Sequence, residues 1–204
     1  MKYRKILSSL IAAAMSLAVL PAYGTAAVTD GEKITLTSEM LSGSPGWNNQ
    51  NGYENAFDGS EDTFFDGLQN GWCQVDLGAE YDISGIRFHP RKGRKADQPA
   101  EYVERMKGGV FSGSLDGSDW TVLYAVPDSI YINNTDTSTL CWHDIEVSGK
   151  YRYIKYENTV NAANIAEIEL YGTYSGESGP TPTPVPTATP DPAMKDFTLI
   201  DRTG

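Results

Sequence analysis

The chain reads as an all-β protein, a β-sandwich of about eight main strands. Between about Lys33 and Tyr174 its apolar residues fall in short runs, Gly, Asn, Asp and Pro punctuate those runs, and no stretch of useful length carries the apolar period of a helix. The runs lie at residues 34–37, 72–77, 83–89, 109–114, 120–126, 142–147, 151–156 and 165–171. That number suffices for two packed sheets, and about 140 residues can enclose a proper core. In the run at 72–77, Cys73, Val75 and Leu77 share one face by strand alternation; after His143 the next apolar position is Ile145. Asp116-Gly117, between the runs at 109–114 and 120–126, has the chemistry of a hairpin turn. Trp72, Trp120 and Trp142 stand on strands or their edges and are expected in the core.

The first residues are of a different kind. Lys2, Arg4 and Lys5 precede an apolar run at 6–20 and then the small residues Ala22, Gly24, Ala26 and Ala27, the pattern of a secretory signal peptide over 1–27. The apolar run is about 15 residues, short of the roughly 20 that span a bilayer, so no membrane insertion is expected. A single module at 28–175 follows, expected to act as a monomer. Residues 176–193 form a Pro/Thr-rich linker: six prolines lie between Pro180 and Pro192, and they lack the amide donors that helix and sheet require. Extended, that segment would reach about 40 Å at roughly 3.1 Å per residue. Residues 194–204, with Phe197-Thr198-Leu199-Ile200, look like the start of a further region, so the chain is expected to be the front of a longer secreted protein.

Charge excludes some partners. Removing the three basic residues of the leader takes the formal charge from −11 to −14. Nucleic acid and anionic lipid surfaces are poor partners for such a chain, whereas a divalent cation is a good one. Two cysteines, Cys73 and Cys141, with only His89 and His143 beside them, do not make a structural zinc site. They could pair in an exported protein, or stand as two buried thiols; the apolar neighbours favour the thiols.

The segment Asn55-Ala56-Phe57-Asp58-Gly59-Ser60-Glu61-Asp62-Thr63 puts a turn and several hard oxygen donors into nine residues. The spacing of Asp58 and Thr63 lets a carboxylate, a hydroxyl and the intervening carbonyls converge on a calcium ion, and Gly59 permits the bend. A metal-free Asx-rich turn is the competing reading of the same residues.

Six motifs in order resemble the discoidin, or coagulation factor type C, family over residues 36–173. They are Asn55-Ala56-Phe57-Asp58-Gly59; Gly71-Trp72-Cys73-Gln74-Val75-Asp76-Leu77-Gly78; His89-Pro90-Arg91; Gly113-Ser114-Leu115-Asp116-Gly117-Ser118-Asp119-Trp120; Tyr151-Arg152-Tyr153-Ile154-Lys155-Tyr156; and Ala166-Glu167-Ile168-Glu169-Leu170-Tyr171-Gly172. The nearest likeness is to the family's bacterial carbohydrate-binding branch, the family 32 modules attached to secreted glycan-degrading enzymes. The resemblance implies a galactose-binding-domain-like jelly roll with a structural calcium. It would place the side chains of Asp58, Thr63 and Glu167 on the ion, with main-chain oxygens near Phe57, Ser60 and Ala166. Ser60 departs from the Asp or Asn more usual there.

A sugar site needs a flat apolar face for C–H groups and directional donors for hydroxyls. The loop at 43–53 holds Trp47 and Tyr53 among four amide side chains. Trp47 is the stacking candidate, its alternative being a ring folded under its own loop. His89, Arg91 and Arg94 follow the run at 83–89, where the resembled modules commonly place a His and an Arg against hydroxyls. Arg91 and Arg105 could instead pair with acids such as Glu101 or Glu104, and for Arg91 that reading is preferred. Asn158, Asn161 and Asn164 lie in the last loop, beside Ala162 and Ala163, where the family often has an aromatic; Asn161 is the ligand candidate among them.

Catalysis finds no support. No G-x-S-x-G elbow occurs, neither histidine has a Ser or Cys partner in view, and no phosphate-cradling glycine loop follows a strand. The expected function is a non-catalytic module holding a secreted protein on polysaccharide or glycoconjugate, with single-site affinity of about 0.1 to 1 mM. The alternative is an adhesin-like surface module that binds a host protein or glycoconjugate.

Overall fold

The computed structural model describes residues 31–176. The signal peptide, nearly all of the linker and the downstream start fall outside the described residues. The described residues form seven strands: β1 (Glu32–Lys33), β2 (Leu41–Gly43), β3 (Phe65–His89), β4 (Gly109–Ser114), β5 (Thr121–Ala125), β6 (His143–Ile165) and β7 (Glu167–Tyr174). Every pairing is antiparallel, in the order β1-β7-β3-β6-β4-β5, with β2 added on β3. Among the described residues the helical elements are short 3-10 turns.

Two very long strands make the sandwich. β3 and β6 pair from Phe65↔Ile165 to Phe88↔His143, with the register broken between Asp76 and Tyr81. Gly78, at φ 74°, sits in that break, and Gly149, at φ 147°, pairs with Ile83 at a further irregularity between Ile83 and Gly85. Before the break β3 carries β2, and the facing half of β6 carries β4 and then β5; beyond it β3 carries β7 and β1. One continuous ladder thus turns a corner and becomes two facing layers, the jelly-roll sandwich the sequence predicts. Phe88 of one layer meets Phe111 of the other with ring centroids 5.3 Å apart, and Tyr124 at 6.3 Å. Phe65, Val75, Ile86, Met106, Tyr156, Ile165 and Leu170 fill the remaining interior.

The corner gives a direct test. A Cβ on Gly78 would find nothing within 4 Å, so crowding is no obstacle and only the left-handed backbone opposes a side chain. Gly78→Ala should therefore cost about 1 kcal/mol, read as a lower urea midpoint at unchanged slope.

Several expectations are corrected here. The runs at 72–77 and 83–89 are parts of one strand, as are those at 142–147 and 151–156, because the ladder bends without ending. The run at 34–37 is not a strand; pairing to β7 is confined to Glu32 and Lys33, after which the Ile34 N–H donates to the Leu170 carbonyl at 2.8 Å. Trp72, Trp120 and Trp142 are half-buried, outside the core proper. The cysteines are both free, but only Cys73 is buried; Cys141 is exposed on the approach to β6. Asp116-Gly117 does turn the β4–β5 hairpin, with Gly117 at φ 77° and the Asp116 carboxylate accepting from the N–H groups of Ser118 and Asp119.

Candidate functional site

At one end of the sandwich a cleft of about 690 Å³ opens between three chain segments. Trp47, Asn48 and Asn51 stand on the loop after β2; Phe64 lies just before β3, and Asp66, Leu68 and Gln69 come from its start; Arg91, Arg94, Tyr102 and Arg105 come from the long connection between β3 and β4. Asn161, near the end of β6, closes the ring.

The Trp47 loop is fixed by its main chain. The Trp47 N–H donates to the Asp66 carbonyl at 2.6 Å, the Asp66 N–H donates to the Asn51 carbonyl at 3.2 Å, and Gly46 bridges Gly67. Asn55 adds Nδ2 bonds to the carbonyls of Gln50 and Phe64, at 2.8 and 3.2 Å. On this fixed loop the indole is 71 % exposed, so it is not folded under the loop. The exposed ring offers a flat apolar face at the mouth of the cleft.

The floor is built around Asp66. Its Oδ2 accepts from Arg91 at 2.7 Å, and its Oδ1 accepts from Arg105 at 3.2 Å and from Asn164 at 2.7 Å. The Arg91 guanidinium lies between two rings, 3.6 Å from the Phe64 centroid and 3.9 Å from that of Tyr102. Burial pulls the Arg91 pKa down while the bond to Asp66 opposes the shift. Arg91 therefore lines the cleft as part of its floor, in the structural role preferred above, with Asp66 as its partner in place of Glu101 or Glu104. Asn158, fully buried, donates to the carbonyls of Arg105 and Lys107 at 3.0 Å each and accepts the N–H groups of Val160 and Asn161. It ties the β3–β4 connection to the arm of β6 that presents Asn161.

Two expected sugar contacts lie elsewhere. His89 is 2 % exposed, its Nδ1 is 2.8 Å from the Pro90 carbonyl, and its Nε2 is 3.5 Å from Glu61, beside the ring of Trp142. Burial holds its pKa below the usual histidine value. As the last residue of β3, His89 is covered by neighbouring loops and does not line the cleft. Tyr53 begins the 3-10 turn Tyr53–Ala56 and packs on the hydrophobic core and against Gly43, so its ring also faces away. The structure gathers Trp47, Arg91, Arg94 and Asn161 from the expected set and adds Asp66, Phe64, Tyr102 and Arg105. Alternation held a clue to two of these: Phe65 points into the core, so Phe64 and Asp66 share the opposite face.

A second cluster joins the 55–63 loop to β7. The Thr63 hydroxyl lies 2.8 and 2.7 Å from the two Asp58 carboxylate oxygens and 3.1 Å from the Ser60 carbonyl. The Glu167 carboxylate, 2 % exposed, accepts the Gly59 N–H at 3.0 Å. Phe57, Asp58, Gly59 and Glu167 line a small cleft of about 350 Å³ here, and Ala166 is buried beside it, its N–H donating to the His89 carbonyl at 3.0 Å. Burial, reinforced by the nearby Asp58 charge, pushes the Glu167 pKa up to about 7. A hydroxyl has one proton, yet three acceptor oxygens crowd around that of Thr63, and a buried carboxylate stands near with no ion-pair partner among the described residues. Among those residues no group of three or more His, Cys, Asp or Glu could hold a metal. The oxygen set of two carboxylates, one hydroxyl and carbonyls instead suits a hard cation such as calcium.

The fold has solved counterparts. A family 89 glycoside hydrolase from Clostridium perfringens, in complex with 2-acetamido-1,2-dideoxynojirmycin, matches with a TM-score of 0.54 and 23% identity, over 75% of this chain and 16% of that one. The chain therefore spans about a sixth of that hydrolase's length. The module CBM32-3 from a family 31 glycoside hydrolase of Clostridium perfringens matches with a TM-score of 0.51 and 19% identity, over 68% of this chain and 94% of that one. No curated protein matches the chain. The F5/8 type C domain model matches residues 33–170, most of the described sandwich, and the chain belongs to that family.

Proposed function

We propose that the chain is a non-catalytic carbohydrate-binding module of a secreted, multidomain glycan-degrading protein. The observation that carries this reading is an indole held 71 % exposed at the mouth of a cleft whose other walls present arginine forks and amides. That is the pairing of stacking face and directional donors that a saccharide requires. The cleft holds a single carboxylate, Asp66, already engaged by three donors, so the two opposed carboxylates of a glycosidase have no counterpart among its lining residues. Of the similar structures named above, one is a glycoside hydrolase and the other a module from a glycoside hydrolase, which supports attachment to such an enzyme. No helix among the described residues is long and apolar enough to cross a membrane.

Calcium has a structural part in this proposal. Asp58, Thr63 and Glu167 would hold it, with carbonyls from the 57–60 turn. It would neutralise a buried carboxylate and fasten the loop that follows β2 to the last strand.

The test is binding of the full chain to an immobilised glycan panel, with Trp47→Ala beside the parent. The variant should lose tenfold or more in affinity, the effect of removing a stacking face worth about 1.5 kcal/mol, while its melting temperature stays unchanged because the ring is exposed. Equal binding by the variant would remove Trp47 from the site. Absence of binding to every glycan by the parent would end the carbohydrate reading.

A further inference from the structure

We propose that the cleft selects an anionic saccharide, one whose uronate carboxylate or sulfate ester sits on Arg94 and Arg105. The proposal deepens the carbohydrate reading above and rests on it. The argument starts from a local charge excess in an acidic protein. Three arginines line the cleft against one acid, Asp66, whereas the chain as a whole carries −11. Both oxygens of Asp66 are already engaged by Arg91, Arg105 and Asn164. The nearby acids do not restore the balance: Glu101 and Glu104 do not line the cleft, and Glu104 pairs with Lys107 at 3.7 Å.

The arginines are held together as well as counted. The guanidiniums of Arg91, Arg105 and Arg94 lie 3.9, 4.6 and 5.6 Å from the centroid of one ring, that of Tyr102. Three cations gathered around one ring repel one another, and a single carboxylate offsets only part of that repulsion. Arg91 is spent on the floor. Arg105 keeps a side chain 40 % exposed, and Arg94 is exposed with no ion-pair partner among the described residues. Both line the same cleft as Trp47. A neutral sugar hydroxyl both donates and accepts, whereas an arginine fork only donates and matches a carboxylate or sulfate with two parallel bonds. The cleft is therefore rich in donors that a neutral glycan would leave half used.

The experiment titrates the full chain with soluble oligomers of galacturonate, mannuronate and glucuronate, with the same oligomers after reduction of their carboxyls to primary alcohols, and with a sulfated galactan oligomer. At least one anionic oligomer should bind tenfold or more tighter than its neutral counterpart, with affinity falling as salt rises. Whether uronate or sulfate binds better identifies the source of the charge. Arg94→Gln, at an exposed position, should weaken that oligomer about fivefold and leave the reduced one nearly unchanged; Arg105→Gln should do the same more strongly. Equal binding of charged and reduced oligomers, with Arg94→Gln and Arg105→Gln indifferent and Trp47→Ala inactive, would overturn the anionic proposal while leaving a neutral-sugar site standing. Binding of no oligomer, charged or neutral, would overturn both.

Discussion

Asp66→Ala is expected to lower stability by about 3–5 kcal/mol, the usual cost of leaving a buried charge without its partner. Arg91, 5 % exposed, would keep its place between Phe64 and Tyr102 with no carboxylate to neutralise it, and Asn164, fully buried, would lose the acceptor of its amide. A domain of this size has only about 5–15 kcal/mol to lose. Urea unfolding should show the loss as a drop in midpoint. Asp66→Asn separates charge from shape: it retains an acceptor oxygen and should fall between parent and alanine variant. If both variants unfold at the parental midpoint, the aspartate is not the keystone of the floor.

Calcium should raise the melting temperature by about 5–10 °C at pH 8 and hardly at all at pH 5. The size follows from roughly 2.7 kcal/mol at a hundredfold excess over the dissociation constant and about 2–4 °C per kcal/mol for a chain of this length. The pH dependence follows from Glu167. Its folded pKa of about 7 lies above the ordinary glutamate value of 4.5, so the folded state holds a proton that the unfolded state has released. Without metal, this group's contribution is fully present below about pH 4.5 and is lost as pH rises through about 7. A cation reverses the preference by stabilising the carboxylate, and so acts only where the proton has left. Melting curves in chelator and in calcium across pH 5–8 should therefore diverge upward in pH. Glu167→Gln should flatten the chelator curve and remove the calcium response. Coincident curves at pH 8 would reject the ion.

Local patterns served the sequence reading where the physics is local. The β4–β5 hairpin was legible because alternation and an Asp-Gly turn are properties of a dozen consecutive residues. The exposure of Trp47 was legible because its loop is too polar to bury. His89 was misplaced because the end of an apolar run gives no sign of what will cover it; here Glu61 and Trp142 do. Asp66 escaped notice for a related reason. Its partners lie 25, 39 and 98 residues away, and nothing adjacent to a lone aspartate between Phe65 and Gly67 announces them. The merging of four runs into β3 and β6 was equally hidden, since a glycine that bends a strand and one that ends it look alike in sequence.

The pairing of β1 with β7 matters for how the protein would bear tension. Glu32 faces Gly172 and Lys33 faces Tyr171, so the chain enters and leaves the sandwich at the same border. Force applied through both chain ends would peel that two-rung ladder one bond at a time, a geometry with little mechanical resistance. Force transmitted instead from a surface held in the cleft to the outgoing chain would run along β7, whose rungs with β3 from Tyr81↔Tyr174 to His89↔Glu167 are loaded together in shear. A module built this way would yield easily when stretched end to end and resist when pulled against a ligand held in its cleft.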